Sequence, residues 1–195
     1  MELIITLLLA YLIGAIPCGV VLVKLVGGED VRKAGSGNIG ATNVYRVAGR
    51  KLGTMTFLGD ALKGAIPIAY AIYLAGMPNE QIAMVAVATF LGHLYPVYIG
   101  FKGGKGVATA CGIYLMISPA TAIIGLIIFA LIIWRTRYVS LASICAAIFI
   151  PLINYGIDRD PSLLLASLFL SGMVVFRHRE NIKRLKNGTE SKFKV

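Results

Sequence analysis

Apolar runs of roughly 15–25 residues follow one another down most of this chain, and that single feature puts it in a bilayer, because about 20 such residues cross hydrocarbon as a helix. Of its 195 residues, 57% are hydrophobic and 14% charged. Soluble domains average about 45–50% apolar and about 25% charged. Mean hydropathy is +0.80. The expected fold is all-α: a polytopic integral membrane protein with seven transmembrane helices. The spans are expected at Leu3–Val26, Leu52–Gly76, Glu80–Ile99, Gly104–Ser118, Pro119–Trp134, Tyr138–Tyr155 and Pro161–Phe176. One domain, residues 1–195, is expected, with 177–195 a basic tail made of a short interfacial helix and a loose end.

The fourth and fifth spans read equally well as one helix kinked at Ser118–Pro119, and charge separates the two counts. Net charge is +10. With seven spans and the N-terminus outside, Lys24, Arg32, Lys33, Arg46, Arg50, Lys51, Lys63, Lys102, Lys105, Arg135, Arg137 and the basic tail share one side. Only Arg159 falls opposite. The positive-inside rule makes the crowded side cytoplasmic, with the C-terminus there. The same rule explains the basic balance without nucleic acid, for which no zinc-finger or RNA-binding signature is present. Cys18, Cys111 and Cys145 are dispersed in apolar runs without CxxC spacing, which disfavours a disulfide framework or a metal site.

Four polar islands interrupt the apolar background, all on the cytoplasmic side of this topology. The first is Ala34–Arg46, AGSGNIGATNVYR. Gly35, Gly37 and Gly40 permit positive φ and close backbone approach. With Ser36, Asn38, Thr42 and Asn43 they suit an anion-binding nest, reinforced if a helix starts near Ile39 or Gly40. Arg46 adds a fork of donors matched to phosphate. A plain polar connector between two spans is the alternative reading. The second island is Gly59–Gly64, GDALKG, where Asp60 and Lys63 share a helical face. They read as a functional pair or a structural one, and Lys63 is open to both roles.

The third island is Gly92–Gly106, GHLYPVYIGFKGGKG. Lys102, Gly103, Gly104 and Lys105 make a basic, glycine-rich turn before a helix. It is not a Walker A loop, since Ile99 stands at the first glycine and Gly106 where Ser or Thr is required. His93 lies within the third span and reads as a core residue or a site residue. The fourth island is Arg177–Asn181, RHREN, in which His178 and Asn181 share a face. Asp60 and Glu180 are the only acids in the four islands, too few for an oxygen cage around Mg²⁺. The donors fit two anionic groups held close together at the membrane surface, with apolar helices free to hold an acyl chain. A phosphate or organophosphate transporter is the rival class. It is disfavoured because the polar groups gather at one face and no internal repeat is visible.

SGNIGATNVYR, GDALKG, GHLYPVYIGFKGGKG and HRENIKRL, in this order and between these spans, resemble the bacterial PlsY family over essentially the whole chain. The resemblance implies an acyl-phosphate:glycerol-3-phosphate acyltransferase of the bacterial inner membrane with its site facing the cytoplasm. It would use no cofactor or metal and give lysophosphatidic acid and inorganic phosphate, the first acylation of phospholipid synthesis. Neither acyl-CoA nor acyl-ACP would serve as donor. Consistent with this, no Asp stands five residues after either histidine: Tyr98 and Lys183 occupy those places. Fitted to that reaction, Ser36, Gly37, Asn38, Gly40, Thr42 and Asn43 would hold the donor phosphate. Arg46, Lys105, His178 and Asn181 would hold glycerol 3-phosphate, and Lys63, Lys102, Gly103, Gly104 and His93 would support either. Ser36, His178 and Lys105 are the candidate catalytic groups, with His178 or a substrate phosphate as the base. The partners expected are the two substrates and the bilayer, for a monomer.

Overall fold

The computed structural model describes residues 1–193 and is helical throughout, with no strand among those residues. In chain order the helices are α1 (Glu2–Gly14), α2 (Cys18–Leu25), α3 (Ala41–Ala69), α4 (Asn79–Leu94), α5 (Val107–Ile117), α6 (Pro119–Thr136), α7 (Val139–Asp158), α8 (Pro161–Arg177) and α9 (Arg179–Lys186). Four helical segments are long and apolar enough to cross a bilayer. Six are if the bent pairs α1–α2 and α8–α9 each count as one, and α5 is a shorter apolar helix besides.

α4 runs through the middle of the bundle, against α1, α3, α5 and α8. Its Phe90 and Leu94 are fully buried beside Ile113 of α5 and Leu170 of α8. Close approach elsewhere depends on glycine. A Cβ at Gly112 would overlap the backbone of Ala61, and one at Gly64 the backbone of Thr109. The α3–α5 crossing is therefore backbone against backbone, which brings the α5 N-terminus beside Asp60.

Several boundaries differ from the sequence expectation, each for a local reason. The first span is not one helix. It breaks at Ala15–Pro17 and bends by 46°, since Pro17 lacks an N–H and disfavours helix in the residue before it. α3 begins at Ala41 rather than Leu52. Its first piece packs Val44, Val47 and Ala48 with Val23, Val31 and Leu52 in a small second core. A break at Gly49 (φ 85°, ψ 173°) separates it from the long apolar piece. α5 starts at Val107, not Gly104. Gly103 and Gly104 instead donate their N–H groups to the α4 carbonyls of Leu94 (3.2 Å) and His93 (3.2 Å), which the end of α4 leaves without helical partners. α5 and α6 are separate helices divided at Ser118 (φ −148°, ψ 84°).

The tail is not loose over its described part. After α9 it turns at Gly188 (φ 69°) and comes back across the bundle end. The Phe193 N–H donates to the Arg137 carbonyl at 2.7 Å. The Phe193 ring meets Tyr45 with centroids 5.0 Å apart.

Candidate active site

Two helices begin at one cavity. Gly40, Ala41 and Thr42 at the start of α3 and Gly106, Val107 and Ala108 at the start of α5 line the same pocket of about 150 Å³. The N–H groups of Ala41, Thr42, Val107 and Ala108 have no partner among the described residues. Free first-turn amides and two positive dipole ends make this an anion site before any side chain is considered.

The loop before α3 is built around Asn43, which is 2% exposed. Its amide donates to the carbonyls of Val31 (2.8 Å), Asn38 (2.8 Å) and Ala34 (3.2 Å), and its Oδ1 accepts from the Ser36 N–H at 2.7 Å. The Gly37 N–H goes to the Ala34 carbonyl and the Gly40 N–H to Asn38 Oδ1. Two of the three glycine N–H groups expected as a nest, those of Gly37 and Gly40, are thus spent within the loop, and the α3 N-terminus supplies the free amides that line the pocket. Gly35 takes φ +61°, where a Cβ would also overlap Asn43 Oδ1.

Side chains complete the walls. Lys105 Nζ and Asn181 Oδ1 meet at 2.5 Å. Asn181 Nδ2 donates to Glu190 Oε1 at 2.7 Å, which also accepts from Ser140 Oγ at 2.7 Å, while Arg184 Nε donates to Glu190 Oε2 at 2.7 Å. Burial opposes the Glu190 charge, but hydrogen bonds from Ser140, Asn181 and Arg184 outweigh it and keep its pKa below the ordinary range. Burial pulls Lys105 down to about 8. Glu190 opposes that fall, and the guanidinium charges of Arg184, Arg46 and Arg177 add to it. His178 is pushed down to about 4 by burial and then by the Lys105 charge, so near neutral pH it is an uncharged imidazole. Its Nδ1 lies 2.8 Å from the Val174 carbonyl. A carbonyl only accepts, so Nδ1 carries the hydrogen and Nε2 keeps the lone pair.

A family model described as glycerol-3-phosphate acyltransferase matches residues 4–188. The chain belongs to that family. This acyltransferase is 57% identical to the glycerol-3-phosphate acyltransferase of Syntrophotalea carbinolica, over 98% of this chain and 97% of that one. It is 49% identical to that of Geobacter sulfurreducens, over 100% and 98%. Among solved structures it resembles PlsY, an integral membrane glycerol 3-phosphate acyltransferase. The TM-score is 0.95 and the identity 41%, over 100% of this chain and 96% of that one, in the glycerol 3-phosphate form. The lysophosphatidic acid form matches with a TM-score of 0.93.

In this glycerol-3-phosphate acyltransferase the pocket gathers Ser36, Asn38, Gly40, Thr42, Asn43, Arg46, His93, Lys105, His178 and Asn181. Lys63 is elsewhere. Its Nζ sits 2.8 Å from Asp60 Oδ1 and donates to the Ile16 carbonyl at 2.6 Å, with the side chain 4% exposed. Lys102 is exposed and, like Gly37, outside the lining. Gly103 and Gly104 shape the loop from behind, and Arg177 fixes them by donating to both of their carbonyls (2.7 and 3.0 Å). A Cβ at Gly104 would overlap the His93 ring. Sequence reasoning missed Ser140, Glu190 and the clamping by Arg177. The first two stand outside the glycine-rich islands, and Arg177 reads as a charged stop after a membrane helix.

Proposed function

We propose that this acyltransferase takes its acyl group from acyl phosphate and transfers it to the 1-hydroxyl of glycerol 3-phosphate, giving lysophosphatidic acid and inorganic phosphate. One observation carries the reading: the polar pocket opens into an apolar cavity and shares Phe57, Val107, Phe129 and Ser143 with it. An amphiphile with a phosphate at one end fits that pair of spaces, its carbonyl at their junction. PlsY, with its glycerol 3-phosphate and lysophosphatidic acid forms, supports the acceptor and the product by similarity.

In this mechanism Ser36, Asn38, Thr42 and the α3 amides hold the donor phosphate, while Arg46, Lys105 and Asn181 hold glycerol 3-phosphate. The acceptor hydroxyl oxygen attacks the acyl carbonyl carbon, the bond from that carbon to the phosphate oxygen breaks, and phosphate leaves. The mixed anhydride is already activated, so the protein supplies proximity and charge neutralisation. The hydroxyl proton goes to His178 Nε2 or to a substrate phosphate. A His178 pKa of about 4 makes it the weaker base of the two, since a phosphate monoester dianion takes up a proton near pH 6. His178 then serves chiefly by accepting the hydrogen bond that orients the hydroxyl. The topology we assign to this enzyme has seven crossings in one domain, with the N-terminus outside. The pocket and residues 177–195 face the cytoplasm across the inner membrane, and the enzyme acts as a monomer.

The donor is tested with purified protein, glycerol 3-phosphate and either palmitoyl phosphate or palmitoyl-CoA, without added metal. Lysophosphatidic acid is expected from the acyl phosphate alone; product from the CoA donor alone would overturn the assignment. A pH dependence follows from Lys105. It is a cation below about 8 and neutral above, so kcat/KM for glycerol 3-phosphate is expected to fall with one ionisation as pH rises through that value. Lys105→Arg, which stays charged, is expected to move the falling limb to higher pH. An unmoved limb would assign it to another group.

A further inference from the structure

We propose that the closed end of the apolar cavity, made by Tyr114, Ala122, Ile150 and Leu170, sets the longest acyl chain that this enzyme uses efficiently. The inference rests on the acyl phosphate reading above and adds what limits the chain.

The cavity walls come from successive turns of four helices. From the junction with the polar pocket they run Val107 to Tyr114 on α5, Phe129 to Ala122 on α6 and Ser143 to Ile150 on α7, with Leu170 below Val174 on α8. Seven residues of helix advance about 10 Å. Three helices independently give that depth, so the end of the cavity is a level plane across the bundle and not a single protruding side chain. The two ends differ in exposure. Phe57 at the junction and Leu126 one turn below Phe129 are 38% and 43% exposed, which opens the upper half of the cavity sideways to lipid; at the far end Ala122, Tyr114, Ile150 and Leu170 are 4%, 6%, 8% and 2% exposed. The polar atoms at that end are satisfied, because Tyr114 Oη donates to Ser167 Oγ at 2.8 Å. A sealed, apolar, fully packed end rewards each methylene above it. It offers no room below, and a longer chain must fold back toward the Phe57–Leu126 opening.

The test uses the full-length purified enzyme and saturated acyl phosphates from butanoyl to stearoyl. A depth of about 10 Å takes up roughly eight methylenes of an extended chain. Ala147→Leu fills the cavity one turn above Ile150. It is expected to leave butanoyl phosphate within about threefold of wild type and to lower kcat/KM for decanoyl phosphate at least tenfold, since each methylene denied burial is worth roughly fourfold. Ile150→Ala deepens the end and is expected to raise dodecanoyl relative to decanoyl phosphate. It also decides the matter should Ala147→Leu fail to fold. A change by one common factor at every chain length in Ile150→Ala, with or without the same in Ala147→Leu, would overturn the inference. Wild-type enzyme inert toward every acyl phosphate would overturn the donor reading and this inference together, and so is distinguishable from failure of the inference alone.

Discussion

Lys63→Met is expected to lower stability by about 3–5 kcal/mol, the usual result of leaving one partner of a buried ion pair alone. Asp60 is 2% and Lys63 4% exposed, and their charged atoms lie 2.8 Å apart inside the bundle. Met keeps the length and apolar stem of Lys63 but strands the carboxylate. Among the described residues the other basic group near it is His93, whose Nδ1 is 3.8 Å from Asp60 Oδ1. For a protein of this size the loss corresponds to roughly 6–20 °C in the unfolding midpoint, read by thermal unfolding in detergent. Asp60→Leu combined with Lys63→Met removes both charges and is expected to recover most of the loss, because an apolar pair of similar volume often matches a buried ion pair. An unchanged midpoint in the single variant would show that the pair contributes nothing to the fold. The contact with the Ile16 carbonyl extends the effect to the bend between α1 and α2. Lys63 therefore ties α3 to the bend in the first span.

The lysines of FKGGK are expected to separate completely. Lys105→Ala should lower kcat/KM for glycerol 3-phosphate by about ten- to 150-fold, the range for losing one charge-assisted contact of about 1.5–3 kcal/mol. It should also loosen Asn181, whose Oδ1 Lys105 contacts. Lys102→Ala should stay within about twofold of wild type, as its side chain is exposed and outside the pocket. The two variants differ by three positions in one loop, so a non-specific effect of lost positive charge would strike both alike. Steady-state kinetics at constant ionic strength distinguish the cases. Equal losses would mean that the loop attracts substrate as a diffuse basic patch, and the pocket geometry would lose its role.

Hydropathy made the bilayer-spanning helices legible, and proline made some of the breaks legible: the chain divides at Ser118 before Pro119. It did not reveal what each polar group does once the chain is folded. Asn43 reads as one more donor in a phosphate cradle, yet its amide holds together the loop that presents Ser36 and Asn38. Lys63 reads as a phosphate ligand, as the structural partner of Asp60, or as both, and its bond to the carbonyl of Ile16, 47 residues away, has no signal in the sequence. Gly103 and Gly104 read as open amides until the end of α4 takes their hydrogens. Glu190 carries no local signal, because its meaning lies in Ser140, 50 residues earlier, and in Asn181 and Arg184 on the preceding helix. Residue types announce that anions are handled at this end of the bundle. Which donors remain free after the protein has used the others is a property of long-range packing.

The paired helix N-termini carry a different implication. An amide dipole has no proton to release and no side chain to lose. The pull on anions from Ala41, Thr42, Val107 and Ala108 is therefore independent of what those four side chains are, as long as none becomes proline and the trace is kept. Mutational drift can rewrite Ala41, Val107 and Ala108 and leave the field standing. A lineage could change its lysines, its lipids or its internal pH, and the chain path alone would still mark this end of the bundle as a place for phosphate.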